Sequence, residues 1–489
     1  MRYSIALATL VGGTALAATA LADGGYYSGT LGARAAGRGG AFAARADDLT
    51  AVSHNPAGLA TIDGTQIELG NILSYNGYSY TRQPTIDYGN PQGGVAPLFT
   101  FAKVSNGKPW QALDPMLGVT SRLGRRDWAF ALAAYAPPGV ALESFPAGGG
   151  QRYMMLDREA MFLKYVASAA WKYQDVFGVG ASAEWIHVPS LKYSLIIDGS
   201  QFSGEANPVS SDLDILVKMQ GSSLFTFNAT LGAWYRPVPS WMFAVSGQVV
   251  PSNIVLDSTL AISMVDQSLP YDPPYLSRED GTRANDASVT LPLPLVGRAG
   301  ARYIHLSGGR EVFDLELDVE YVTWSRVDSI TVDTHGKVAN YAAQRVPLDR
   351  IYLEKHWRDT IAVRLGGDFA ALPGRLVLRA GAYYETAVAD PAYANVDFST
   401  GAQVGGALGA SIFVRSFEIA LAYMLRVQPS FQVSEADARV YQQAPASPCP
   451  GDPDACNPNL NGQLPVVNAG TYSASSHFLS LNLRYRYGL

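Results

Sequence analysis

Little of this chain is charged: Asp, Glu, Lys and Arg make up 16% of its 489 residues. After residue 22 no apolar run approaches the ~20 residues that a membrane helix needs. A chain held in a bilayer without such runs must satisfy its backbone between strands, which means a closed barrel. Cysteine is nearly absent. Cys449 and Cys456 are the only two, and the stretch around them offers too few Cys or His ligands for a metal centre. The six histidines, His54, His187, His305 and His356 among them, show no ligand spacing. No convincing phosphate-cradling motif occurs, so the sequence calls for no cofactor and no metal. Basic charge is not in excess either. The 36 Lys and Arg face 42 Asp and Glu, a net −6 that becomes −7 if Arg2 leaves with a leader, and that balance gives no reason to expect nucleic acid.

What is present is alternation. Leu479, Leu481, Leu483, Tyr485, Tyr487 and Leu489 fall on one face of the C-terminal segment, with Ser480, Asn482, Arg484, Arg486 and Gly488 on the other. Only an extended strand sorts side chains with a period of two. Greasy on one face, polar on the other and apolar at its end, it reads as the closing strand of a transmembrane β-barrel. The content of 27 Tyr and 48 Gly suits aromatic girdles and tight turns. At the other end, Arg2, the apolar or small run Ile5–Leu21 and the small-x-small Ala20-Leu21-Ala22 read as a signal peptide over 1–22, with Asp23 first in the mature chain. A membrane anchor is the alternative, but the run is rich in Ala, Gly and Thr. Export makes a small Cys449–Cys456 loop disulfide the expectation. Asp452, Asp454, Asn457, Asn459 and Asn461 nearby lack a clear calcium register, and an ordinary surface loop is the better reading.

Residues 23–64 differ from the rest. Leu31–Ala43 is small and glycine-rich, followed by Asp47-Asp48 and the tight Asn55-Pro56-Ala57-Gly58-Leu59. Such material cannot face lipid but could fill a barrel lumen. From residue 65 extended and turn-rich segments alternate, giving a barrel over 65–489 with about fourteen strands. Their centres fall near residues 72, 100, 119, 132, 166, 184, 229, 247, 297, 318, 363, 380, 408 and 481. Phe313, Leu315, Leu317, Val319 and Tyr321 oppose Asp314, Glu316, Asp318 and Glu320; Phe417, Ile419, Leu421, Tyr423 and Leu425 oppose Glu418 and Arg426. Charge on one face and none on the other fits a wet lumen and a lipid exterior. With both termini periplasmic, the long insertions near 138–158, 199–218, 262–286, 333–354, 388–400 and 430–472 lie outside. Short turns such as Arg125-Arg126-Asp127 and Pro239-Ser240 then face the periplasm.

These motifs, in order, resemble the FadL-type outer-membrane transporters of long-chain fatty acids and other hydrophobic compounds (OMPP1/FadL/TodX). The resemblance is carried by Leu31–Asp48, Asn55-Pro56-Ala57, Tyr135-Ala136-Pro137-Pro138-Gly139, Thr323-Trp324-Ser325, Trp357-Arg358-Asp359-Thr360 and Leu378–Glu385. It implies an all-β, fourteen-stranded antiparallel barrel in the bacterial outer membrane, blocked by an N-terminal hatch. Ligand would be captured by outer loops, pass to an apolar pocket and leave sideways where a strand is kinked. The final Leu489, where such barrels usually end in Phe, and the cysteine-bearing loop depart from that pattern.

Asn55, Pro56 and Ala57 are the candidate gate. Pro fixes φ and Asn bonds its local backbone, so a tight turn is expected whether or not it moves. A fatty-acid carboxylate wants a cation at one end of an apolar pocket. By resemblance Lys355 or Arg358 lies near that position, with Lys192 and Arg379 on other walls; each could instead be a lumen charge paired with a carboxylate. Phe145, Met154 and Met155 could form a capture surface or simply pack a loop. The Asp314–Glu320 ladder resembles acid–base machinery only in isolation; Arg298, Arg302 and Arg364 are its expected partners. The sequence thus points to a monomeric, non-enzymatic channel in contact with outer-membrane lipid and lipopolysaccharide, taking up fatty acids without energy input. Aromatic or alkane hydrocarbons by the same route, a general diffusion porin, and a lipid hydrolase based on His187 or His305 are the rivals.

Overall fold

The computed structural model describes residues 30–86, 97–138, 142–198, 209, 214–268, 272–341, 344–442 and 465–487. The leader, Asp23, Cys449, Cys456, the Asp/Asn-rich loop and Leu489 lie outside the described residues.

Period-two segments from residue 65 onward form fourteen antiparallel strands. They are β1 (Thr65–Arg82), β2 (Trp110–Ser121), β3 (Trp128–Tyr135), β4 (Asp157–Tyr173), β5 (Phe177–Ile197), β6 (Ile215–Val238), β7 (Trp241–Gln248 and Asn253–Met264), β8 (Asp286–Pro292 and Val296–Ser307), β9 (Arg310–Val322 and Ser329–Tyr341), β10 (Gln344–Glu354 and Thr360–Leu372), β11 (Leu376–Glu385), β12 (Gln403–Val414), β13 (Phe417–Val433) and β14 (Gly470–Tyr487). Each pairs with its neighbours, and β14 returns to β1 in unbroken register from Thr65↔Tyr487 to Arg82↔Gly470, closing the cylinder. Leu479, Leu481, Leu483, Tyr485 and Tyr487 face out, while Ser480, Asn482 and Arg484 are buried within. In β9 the apolar set faces out and Asp314, Glu316, Asp318 and Glu320 face in.

Two belts of exposed aromatics ring the wall. Phe417 lies 4.9 Å from Tyr485 and Trp241 5.3 Å from Tyr303 at the end bearing the termini. Tyr75 lies 5.0 Å from Trp110 and Tyr165 5.1 Å from Trp185 toward the other end. Short turns occupy the first rim and long connections the second, which sets the periplasmic and outer sides.

The strand total matches the sequence reading through two compensating differences. No wall strand is centred at residue 100; only the two-residue pieces Leu98–Phe99 and Val104–Ser105 occur there. β13, recognised by its alternation but omitted from the tally, restores the number. The 333–354 stretch belongs to a strand hairpin, β9–β10, extended beyond the outer belt rather than to a loop.

Breaks in the wall matter more than the strands. β7, β8, β9 and β10 are all interrupted, at 249–252, 293–295, 323–328 and 355–359. Pro251 and Pro294 lack the N–H a ladder requires, and Trp324–Arg326 turns as a 3-10 helix. The breaks swing Leu293, Trp324, Val327 and Trp357 into the lumen.

Candidate ligand passage

The inner half of the lumen is filled by the N-terminal segment. Two short helices, α1 (Ala33–Gly37) and α2 (Ala51–His54), and the 3-10 turn Pro56–Thr61 are buried against inward-facing side chains. Small residues allow this: a Cβ on Gly366 would stand 2.1 Å from the Arg38 carbonyl, and one on Gly232 would stand 2.0 Å from Asn55 Oδ1. The Arg38 guanidinium donates to Asp314 at 2.8 Å, Asp368 at 2.7 Å and Glu316 at 2.8 Å. Asp318 accepts the N–H groups of Phe42 and Ala43 at 2.7 and 2.8 Å, and Glu316 that of Ala44 at 2.6 Å. Arg302 pairs with Asp314, and Arg298 and Arg364 pair with Glu320, as the ladder's composition implies. Sequence reasoning missed the larger share of its work, which is to hold the backbone and Arg38 of the N-terminal segment.

Asn55 begins the 3-10 turn. Its Oδ1 accepts from Ala57 N at 3.1 Å, and its Nδ2 donates to Ala43 O at 2.9 Å and Ala233 O at 3.3 Å. Trp234 Nε1 donates to Ala57 O at 3.0 Å. The Asn55-Pro56-Ala57 turn therefore ties the segment to β6.

The outer half is apolar. Ile254, Leu256, Val289, Leu291, Trp324 and Trp357 belong to one buried cluster fed by β4 to β10. Trp357 meets Trp324 edge-on at 5.2 Å and Phe398 at 5.3 Å. Phe398 also carries the cluster's polar end. Arg158 lies 4.3 Å and Lys355 5.8 Å from its ring centroid. Arg158 pairs with Glu143 at 3.2 Å, and Lys355 pairs with Asp397. This quartet stands seven residues along β4 beyond Tyr165 of the outer belt, outside the membrane band. Burial pushes the Glu143 carboxyl up to about 7, with Arg158 opposing and Asp397 reinforcing the shift.

The four cations singled out in the sequence are not brought together. Lys355 sits at the apolar cluster. Arg358 is exposed and pairs with Asp390; Lys192 is exposed and pairs with Glu159 at 3.1 Å. Arg379 lies beneath the N-terminal segment, 3.1 Å from Asp368 and 2.7 Å from Ser411. Lys192 faces outward because a period-two strand presents every second residue to the exterior; Arg358 lies in the break of β10 and is exposed there. Arg158 was missed; its signal was a cation opening a strand after a long outer connection. Phe145, Met154 and Met155 are buried in a cluster beneath the outer loops with Tyr80 and Tyr472, not exposed as a capture surface.

One wall is open. β3 pairs with β2 and β4 only as far as Tyr135, opposite Met116 and Lys164. It resumes at Glu143, opposite Arg158. Among the described residues, 110–114 of β2 and 159–163 of β4 have no strand partner on that side. Pro137 and Pro138 fall in the break and cannot donate to a ladder. Leu113 and Met161 are exposed at its edges. Periplasmic of it lies a lipid-facing depression of about 580 Å³, floored by Gly118, Ala133 and Ala167 and rimmed by Tyr165, Trp185 and Phe225.

A closed barrel with a greasy exterior, a filled polar base and an apolar upper lumen is an outer-membrane channel for hydrophobic compounds. The family described as outer membrane protein transport protein (OMPP1/FadL/TodX) matches residues 13–398, and the chain belongs to it. Its members are transport channels, not enzymes. Among curated proteins none matches. A FadL homologue of Pseudomonas aeruginosa has a similar structure, with TM-score 0.72 and 16% identity, covering 96% of this chain and all of that one. The toluene transporters TodX of Pseudomonas putida (0.62, 12%) and TbuX of Ralstonia pickettii (0.59, 15%) each cover 94% of this chain and are themselves 99% covered. At such identities the likeness shows the fold alone.

Proposed function

We propose that the protein takes up long-chain fatty acids by lateral diffusion: the head group docks at Arg158 and Lys355, the chain lies against Trp324, Trp357 and Phe398, and release is through the β3 break. The observation that carries this reading is a pair of cations, Lys355 buried and Arg158 half-buried, flanking one aromatic ring at the edge of a large apolar cluster. A hydrocarbon channel has no need of them. Both cations already hold carboxylates, so an arriving carboxylate adds one negative charge, which uptake of a proton by Glu143, its carboxyl pushed up to about 7 by burial, offsets.

Residues 30–64 act as the hatch, with Asn55-Pro56-Ala57 as its gate against β6. The apolar depression below the β3 break receives the molecule into the bilayer, sparing it release into water. The barrel functions as a monomer bordered by lipopolysaccharide, whose polar layer makes an apolar route necessary.

The test compares substrates. Arg158→Met with Lys355→Met should lower oleate uptake by about tenfold, the order expected for losing a charged hydrogen bond, and leave toluene uptake unchanged. Equal loss of both substrates, or of neither, removes the head-group assignment; toluene uptake without oleate uptake by the unaltered protein favours the aromatic hydrocarbon reading.

A further inference from the structure

Nine arginines are buried among the described residues, and seven of them hold a carboxylate: Arg34, Arg38, Arg152, Arg302, Arg364, Arg379 and Arg484. Arg82 donates to the Val466 carbonyl at 2.9 Å and covers the Phe101 ring. Arg426 has neither kind of anchor. It is 6% exposed, on the inward face of β13. Its polar contact is Ser476 Oγ, at 3.4 Å, and its guanidinium stands 5.8 Å from the Phe478 ring. Among the described residues no carboxylate lies within ion-pair distance, and Nη1 has no acceptor.

Two residues along the same face, Gln428 is 2% exposed. Its Oε1 accepts from Ser399 Oγ at 2.9 Å and Gly401 N at 2.7 Å, so the amide orientation is fixed, and Nε2 is left without an acceptor. Two buried donors, roughly 7 Å apart along the strand, thus lack acceptors in a molecule that pairs nearly every other buried charge. A buried cation with no counter-ion is costly, which argues for an anion that comes and goes.

On the periplasmic side of Arg426 lies a small apolar cluster of Ile72, Tyr383, Ala407, Met424 and Phe478. The hydrogen-bonded row through Arg426 runs to Ser476 and Asn76, and Asn76 N donates to Pro109 O. That is three strand spacings, about 14 Å, and it ends at the margin of the open stretch of β2. Ile72 of the cluster pairs with Asp114 inside that stretch.

We propose that Arg426 and Gln428 form a second carboxylate station, holding a fatty acid by its head group with the tail on Phe478, Met424 and Ile72, between the outer apolar cluster and the β3 break. This rests on the fatty-acid reading above. The station splits one long transfer into two shorter ones, and its lack of an internal anion leaves it empty for the arriving head group.

The experiment is uptake of oleate and of toluene by cells carrying Arg426→Met, Arg426→Lys or Gln428→Leu, with equilibrium oleate binding to each purified barrel and heat-modifiable migration as the check on assembly. R426M should lower oleate uptake about tenfold, R426K should recover part of it, and toluene uptake should not move. Oleate affinity at the Arg158–Lys355 site should stay within about twofold. Unchanged oleate uptake, or a parallel fall in toluene, overturns the station. If R426M does not assemble, Q428L, which keeps the charge, is read against the same two outcomes. An unaltered protein that moves toluene but not oleate overturns the fatty-acid reading itself; one that moves both, with R426M and Q428L indifferent, overturns only the station.

Discussion

The two halves of the lumen solve opposite problems with the same wall. In the inner half, β9 runs unbroken from Arg310 to Val322 and turns four carboxylates inward, each spoken for by arginine or by backbone N–H. In the outer half, the four consecutive strands β7 to β10 break at one level, and the inward side chains become Trp, Leu and Val. An intact ladder presents whatever its period dictates. A broken one lets the chain turn indole rings into the space that a pleat would deny them. The inner half saturates its polar groups against one another, and the outer half gathers its apolar side chains into one cluster with the charged pairs at its edge.

The sharpest way to break that contrast is to remove the tie in the inner half. Arg38→Ala leaves Asp314, Glu316 and Asp368 short of a shared cation. A buried pair broken on one side costs about 3–5 kcal/mol. The expected result is a loosened N-terminal segment, read as raised single-channel conductance in planar bilayers with a lower heat-modifiable transition. Conductance equal to that of the unaltered protein would mean the remaining contacts hold the segment without Arg38.

A smaller effect belongs to the outer half. Trp324→Ala with Trp357→Ala removes two indoles from the cluster and should weaken oleate and toluene binding alike, by about tenfold, equivalent to about 1.4 kcal/mol. Conductance should not change. A rise there would show that the two halves are mechanically coupled.

The smallest effect is one of pH. The Glu143 carboxyl, pushed up to about 7, is ionised at pH 8 and holds Arg158; at pH 6 it is protonated and Arg158 loses that partner. Burial keeps the Tyr78 and Tyr193 hydroxyls neutral throughout. Carboxylates of ordinary pKa are still ionised at pH 6, so oleate should bind a few-fold more tightly at pH 6 than at pH 8. Glu143→Gln should abolish the dependence, and toluene binding should show none.

Much of the inner half was legible from residues alone. β14 and β9 announce themselves by period, and the smallness of residues 31–43 says they need cover. The outer half was harder for a physical reason. Its apolar cluster is shaped by interruptions, and an interruption has no period: Pro137-Pro138 shows as a break only where the ladders on both sides stop. The hairpin at 333–354 was taken for a loop because alternation fades beyond the lipid band, where neither face must be apolar. Lys355 stands out in the sequence because resemblance points to it. Arg158 does not, because its partners Glu143 and Phe398 are distant in sequence and converge only when the barrel closes. Arg426 stood in plain view as a polar-face residue of β13, but a lone cation in a sequence does not reveal that its neighbours decline to neutralise it.

The seam between β1 and β14 carries one more consequence. Its eighteen paired residues on each side lie far apart in the sequence, so nothing made early can complete the wall. Until Gly470–Tyr487 has emerged and found Thr65–Arg82, two full-length edges stand bare, each able to recruit a stranger's strand. That strand is therefore a clasp as much as a wall, and a chain lacking it would be left as an adhesive sheet instead of a slightly smaller tube.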